Sequence, residues 1–506
     1  MSVYKEIRKL FSEGFVFASV GVLQKSVGFF LIPVYTRILS PTDYGIIEIA
    51  SSTAFFAMLF ALLDVPTAMI RSYQYVAGGE EDRDRVVGTA FLTTILTIAG
   101  TCGVLLAAIR PLTVFLFDDP AKTALTGVTV LTVFTTAMSR LRTDLFRARA
   151  EVKRWAVWEF SLFVLSLVFQ ILFVVVFRWG PFGAILGSGV SAGIVTVAFI
   201  PTFVWAVRRG WSWRHCREML IFALPLLPGT LALWVISQSN RYFLKEYLDF
   251  GQAGIFGISM RLSRAVAMLA EAMLSAWTVN VYRLAREEGS QRVFARFLTY
   301  YFLALGYVAL GLAVLSQEVV EVMARKVEFQ QAYKYVPLIA LGYLFFNGRR
   351  IVGAHVSICN KNIYKVGLLL VAFVINVAAN WTLIPRLGPQ GAAIGVFLPY
   401  FFLFWSFHAV NLRFARVPYE WGRLLKLAIV FGGLFALASL TASWRILLRL
   451  PVKLAILAAL IPILWCLGFF QKAELRRGRE LLGELRSRVA GRWTPGGDDE
   501  RVEVED

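Results

Sequence analysis

Charge is scarce in this 506-residue chain: Asp, Glu, Lys and Arg make up 17% of it, against about 25% in soluble domains. That excludes an ordinary soluble fold. Cysteine is sparse too. Cys102, Cys216, Cys359 and Cys466 lie far apart, giving neither a disulfide framework nor a CxxC pair. His355 and Cys359 are spaced i, i+4, but no further ligand is close in sequence, so no metal site is expected. There is no P-loop, no GxSxG and no paired-carboxylate motif placed at a membrane surface. What is abundant is apolar sequence, with 58% hydrophobic residues and a mean hydropathy of +0.65.

Hydropathy divides residues 12–470 into about fourteen apolar spans, and fourteen spans of about 20 residues fit this length without a large extramembrane domain. The basic opening MSVYKEIRKLF runs into the first span with no A-x-A-like cleavage site, and reads as part of a retained helix. An even number of spans puts both termini on one side. The terminal segments and even-numbered loops hold 36 of the 52 Lys and Arg, while the odd-numbered loops hold 13 and the spans three. This bias predicts cytoplasmic termini. The formal charge of +19 therefore reads as membrane topology and an anionic partner, with no nucleic acid expected. After Phe470, Leu475, Leu482, Leu485 and Val489 fall at helical spacing among arginines. An acidic, disordered tail follows.

The chain also repeats itself. Arg178-Trp179-Gly180-Pro181-Phe182-Gly183-Ala184 recurs as Arg386-Leu387-Gly388-Pro389-Gln390-Gly391-Ala392, at an offset of 208, and an offset of 209 carries Gly45 onto Gly254. A six-span unit keeps its orientation, so the two copies are expected to be related by an axis along the membrane normal, with a cavity between them. The predicted fold is an all-α polytopic membrane protein. Its parts are an N-terminal six-helix lobe (1–210), a C-terminal six-helix lobe (211–415), helices 13 and 14 (416–471) and a cytoplasmic basic helix with an acidic tail (472–506).

Ile32-Pro33-Val34-Tyr35-Thr36-Arg37-Ile38-Leu39-Ser40-Pro41-Thr42-Asp43-Tyr44-Gly45 resembles the first-loop signature of the polysaccharide transporter family. This family includes the O-antigen flippases and falls within the multidrug/oligosaccharidyl-lipid/polysaccharide (MOP) exporter superfamily. Ala223-Leu224-Pro225-Leu226 and Ile384-Pro385-Arg386-Leu387-Gly388-Pro389-Gln390-Gly391-Ala392-Ala393 resemble two further family segments. The resemblance implies a flippase that moves undecaprenyl-pyrophosphate-linked oligosaccharide from the cytoplasmic to the periplasmic leaflet of a bacterial or archaeal cytoplasmic (inner) membrane. A duplicated transporter can be complete in one chain, so a monomer is expected, with membrane lipids and polysaccharide polymerase or assembly proteins as further partners. It departs where many relatives carry an acidic residue before the arginine of span seven: here the residues are Ser239-Asn240-Arg241.

Moving a pyrophosphate through hydrocarbon calls for intramembrane cations, and buried charge usually faces a bundle interior or water. Lys25 in span one, and Arg261 and Arg264 three apart on span eight, are the candidates for the path. Arg264 with Glu271, seven residues on, also permits the blander reading of a structural ion-pair network. Arg37 and Arg241, at the outer ends of spans one and seven, read as headgroup contacts or as snorkelling side chains, as does Arg71 on the cytoplasmic side. Glu48, Asp64 and Glu271 are the acidic candidates for counter-ions or for coupling to a proton or sodium gradient. No cofactor is expected. Asn376 and Asn380 suit sugar hydroxyls or interhelical hydrogen bonds. A lipid II flippase and a multidrug exporter of the same superfamily are the rival readings, although cationic drugs would favour an acidic cavity. A membrane polysaccharide polymerase or glycosyltransferase is more distant, because no catalytic residues can be assigned.

Overall fold

The computed structural model describes residues 20–470, other than 22, 25, 77, 288, 360 and 362. Among these there is no strand, and the chain runs through helices α1 (Val27–Ile38), α2 (Pro41–Leu62), α3 (Val65–Arg71), α4 (Glu80–Ala107), α5 (Ile109–Phe117), α6 (Thr123–Ala148), α7 (Val152–Ile171), α8 (Gly180–Val197) and α9 (Ile200–Arg208). It continues through α10 (Trp213–Ala223), α11 (Leu227–Gln238), α12 (Asn240–Tyr247), α13 (Phe250–Leu284), α14 (Ser290–Val314), α15 (Ser316–Met323), α16 (Val336–Val352), α17 (Ala354–Ile358), α18 (Ile363–Leu387) and α19 (Pro389–Asn411). The last three are α20 (Trp421–Ser439), α21 (Ile446–Ala458) and α22 (Leu460–Cys466).

Twelve helices among the described residues are long and apolar enough to cross a membrane. The expected fourteen spans are matched approximately: α1 is apolar but has only 12 described residues, and α16, at the tenth expected span, has 17 and ends in Arg349 and Arg350. One expected span, the seventh, is broken in three. Pro225 and Pro228 interrupt it between α10 and α11, because proline removes a backbone donor and its ring crowds the preceding turn.

The chain forms two units, one up to Tyr419 and one from Glu420. In the second, α20 packs on α21 and α22, Lys426 Nζ donates to the Leu467 carbonyl at 2.9 Å, and the Arg423 guanidinium lies 4.5 Å from the Phe469 ring centre. The basic helix and acidic tail expected after Phe470 lie outside the described residues.

In the first unit, the glycines of the two duplicated Gly-Pro turns both have positive φ, although Arg178 stands outside a helix and its counterpart Arg386 inside one. Gly180 and Gly388, at related positions, have φ of 56° and 59°, which L side chains adopt only with strain. Across the two sequence halves, α2 and α13 pack backbone against backbone. A Cβ on Gly45 would lie 1.7 Å from the Phe250 carbonyl oxygen, and one on Gly254 would lie 2.3 Å from that of Pro41. Pro41 and Phe250 are themselves 209 apart, so the contact is reciprocal, as a two-fold axis requires. Both helices begin with side-chain caps at related positions. The Ser40 hydroxyl accepts from the Asp43 N–H at 3.1 Å, and the Asp249 carboxylate accepts from the Gln252 N–H at 2.8 Å; such caps satisfy donors that the first helical turn leaves unpaired.

Further bonds tie the halves together at this end. Thr36 Oγ1 donates to the Met323 carbonyl at 2.9 Å, and Lys326 Nζ donates to that of Leu39 at 2.8 Å.

Candidate functional site

About one turn beyond Gly45 on α2, the carboxylate of Glu48 is buried between two guanidiniums from the other half of the chain. Arg241 Nε donates to Oε2 at 2.7 Å, while Arg261 approaches Oε1 through Nε at 2.8 Å and Nη2 at 2.6 Å. Glu48 and Arg241 are 4% and 3% exposed. The remaining donors find carbonyls: Arg241 Nη1 donates to Ser237 at 3.0 Å, and Arg261 Nη1 reaches Gly28 at 3.5 Å. The Arg261 guanidinium also stands 5.1 Å from the ring centre of the buried Tyr44.

The carboxylate fits because α13 has no side chain beneath it. A Cβ on Gly257 would lie 2.6 Å from Glu48 Cγ. Gly257 is the 209-offset equivalent of Glu48, so the duplicated helices carry a carboxylate on one side and clearance for it on the other. Charge-assisted bonds of this kind are stronger than neutral ones, and a guanidinium fork suits both carboxylate and phosphate oxygens. Two guanidiniums face one carboxylate, which leaves the buried cluster with one surplus positive charge.

The other sequence candidates are placed differently. Arg264, one turn beyond Arg261 on α13, is exposed and has no ion-pair partner among the described residues. It is nevertheless a charged neighbour of the buried Tyr400, as are Arg241 and Arg349. Glu271 is exposed two turns further along. Arg37 is exposed on the last turn of α1, where a cation complements the helix dipole. Asp64 sits in the break between α2 and α3 with φ of 56°, accepting from Thr67 Oγ1 at 2.9 Å, far from Glu48 along the same span. Arg71 is exposed, its guanidinium 4.7 Å from the Phe222 ring centre. Lys25 lies outside the described residues.

Asn376 and Asn380 are fully buried in an interhelical network. Asn376 Nδ2 donates to the Gly395 carbonyl at 2.7 Å, and Asn376 Oδ1 accepts from Ser239 Oγ at 2.9 Å and from Asn380 Nδ2 at 3.2 Å.

The structure thus brings together Glu48, Arg241 and Arg261, which the sequence offers as separate candidates, and leaves Arg37 and Asp64 apart from them. The signal that could have joined Glu48 to α13 is the repeat offset, which sets a glycine opposite a membrane-buried carboxylate.

A family model described as polysaccharide biosynthesis protein matches residues 34–326. No curated protein matches the sequence at a significant level. Among solved structures, the chain is similar to the lipid II flippase MurJ in an inward closed conformation, with a TM-score of 0.67 and 12% identity over 89% of this chain and 98% of that one. It is similar to a multidrug resistance MATE family transporter of the MOP superfamily in an inward-facing conformation, with a TM-score of 0.57 and 14% identity over 79% and 92% of the two chains. A third is a MOP superfamily transporter from Pyrococcus furiosus, for which the reverse polarity of its binding pocket suggests a different function; there the TM-score is 0.54 and the identity 13%, over 79% and 95%. These likenesses establish the fold: this is a multi-pass helical membrane protein with a MurJ- and MATE-like fold.

Proposed function

The chain belongs to the polysaccharide biosynthesis protein family, and from that premise we propose that it is a flippase for undecaprenyl-pyrophosphate-linked oligosaccharide. The glycan and pyrophosphate pass from the cytoplasmic to the periplasmic leaflet through a cationic path between the two halves, while the polyprenyl chain stays in hydrocarbon. The observation that carries this reading is the surplus positive charge of the Arg241–Glu48–Arg261 cluster at the contact between the halves. Neutral lipid would gain nothing there, and cationic drugs would be repelled.

The positive-inside bias assigns both termini to the cytoplasm of an inner-membrane protein and puts the Gly45–Gly254 crossing at the outer face. The outer end is then closed, and Arg264, about 20 Å along α13 from its start, meets the substrate earlier than the cluster does. A pyrophosphate handed from Arg264 to Arg261 and Arg241 competes with Glu48 for the same donors. Once Glu48 is displaced, the ionic bridge between α2 and α13 is gone and the outer end can part. Glu48 acts here as a counter-ion that holds the site until substrate arrives.

The test is leaflet-resolved translocation of an undecaprenyl-pyrophosphate oligosaccharide in proteoliposomes, comparing wild type with Arg264→Ala at matched insertion. Wild type is expected to flip the lipid and the variant to lose at least about tenfold in rate, the equivalent of one charge-assisted contact. Equal rates would remove Arg264 from the path. Transport of lipid II in its place would move the substrate to the one named for the structurally similar MurJ.

A further inference from the structure

Residues of α2, α4, α5, α11 and α12 line an open pocket of about 760 Å³, within the range of drug-sized ligand sites. Its wall is apolar and aromatic: Phe56, Phe60, Gly100, Val104, Phe115 and Trp234 line it. The Phe56 ring centre lies 4.6 Å from that of Trp234 and 5.1 Å from that of Phe60. Trp234 Nε1 donates to the Ser52 carbonyl at 3.2 Å, which fixes the indole. The pocket's polar lining residues are Thr53, Thr101, Ser239 and Tyr242, and at one edge Thr53 Oγ1 and the Tyr242 hydroxyl share a hydrogen bond of 2.7 Å. Tyr242 directly follows Arg241 in the chain, which sets this edge next to the cluster along α12; Thr53, five residues beyond Glu48, stands about 7.5 Å further along α2 and about 140° around it. Around the other side the surface is apolar and open: Leu96 is 70% exposed, and Val104 and Phe115 are 68% exposed.

We propose that this pocket binds the isoprenoid units nearest the pyrophosphate of a polyprenyl carrier while Arg241 and Arg261 hold the pyrophosphate. The proposal rests on the flippase reading above. Hydrocarbon supplies no hydrophobic driving force for an apolar chain already in the bilayer, so an untethered acyl chain gains little by entering. A chain joined to an anion that docks at the adjoining arginines is held there by its headgroup. The stiff, methyl-branched isoprene units then meet aromatic faces whose packing linear acyl chains match poorly. The pocket would make the transporter read the carrier as well as its pyrophosphate.

The test uses the full chain in phosphatidylethanolamine–phosphatidylglycerol nanodiscs, with undecaprenyl pyrophosphate carrying a diazirine on the isoprenoid unit next to the pyrophosphate. Irradiation and peptide mapping should place the label within residues 53–60 and 100–105. Gly100→Trp fills the pocket from a position where a Cβ meets nothing within 4 Å. It should lower labelling roughly tenfold while leaving the thermal shift produced by inorganic pyrophosphate unchanged. Gly103→Trp, equally unobstructed but outside the lining, should label as wild type does and controls for folding.

Three outcomes would overturn the pocket: label mapping elsewhere, Gly100→Trp labelling like wild type, or a photoreactive phospholipid occupying the pocket that undecaprenyl pyrophosphate fails to displace. If wild type shows neither a pyrophosphate shift nor capture of the probe, the flippase reading fails with it. A saturable pyrophosphate shift with no label in the pocket sinks the pocket alone.

Discussion

Glu48 carries more than its share of the cluster's energetics, because each of its oxygens serves a different arginine. Removing one partner of a buried ion pair typically costs about 3–5 kcal/mol, since the charge left behind has lost its compensation. Glu48→Gln keeps the shape and removes the charge, so the variant should unfold at lower temperature in detergent, with inorganic pyrophosphate raising its midpoint more than that of wild type. An unchanged midpoint without pyrophosphate would mean that water already neutralises the arginines and that Glu48 is no latch. The candidates at this scale were legible one by one, because a charge inside an apolar span is conspicuous. Their pairing was not. Sequence periodicity relates residues on one helix, which is why Arg264 and Glu271 look like partners, whereas Glu48 meets arginines 193 and 213 positions away.

At the scale of the helix, the contact of α2 with α13 depends on two glycines that touch backbone and not flexible side chains. A methyl group on Gly45 would overlap the Phe250 carbonyl oxygen at 1.7 Å, and neither helix can yield without moving as a body. Gly45→Ala should therefore drive the helix ends apart and open the outer end. Maleimide labelling of a cysteine at Ser52, buried and bonded to Gln238 at 3.2 Å, would report it as a rise in accessibility; unchanged labelling would show that the seam tolerates the methyl and is not tightly closed. Hydropathy placed these spans well, and the repeat offset singled out Gly45 with Gly254. It did not reveal that the seventh span is three helices, because its prolines sit in an apolar run that scores as one segment. Nor did it reveal the end of α2 at Leu63 and Asp64, where both residues adopt positive φ.

For the whole molecule, the question is whether the seam is the part that moves. Alternating access requires the two halves to rock against each other around the substrate, and the closed end offers a place to prevent it. A Cβ built on Gly251 lies 3.5 Å from Pro41 Cβ, within the range of disulfide-bonded pairs. In a background lacking the four native cysteines, Pro41→Cys with Gly251→Cys should cross-link on oxidation and join the first half to the second at the mouth of the cluster. Headgroup entry from the inner side would remain open, so the oxidised protein should still show the pyrophosphate thermal shift while translocation in proteoliposomes stops, and reduction should restore it. Each single variant should be indifferent to oxidant. If the cross-linked protein flips lipid as fast as its reduced form, the seam stays shut throughout the cycle, and displacement of Glu48 by pyrophosphate cannot be the event that opens it.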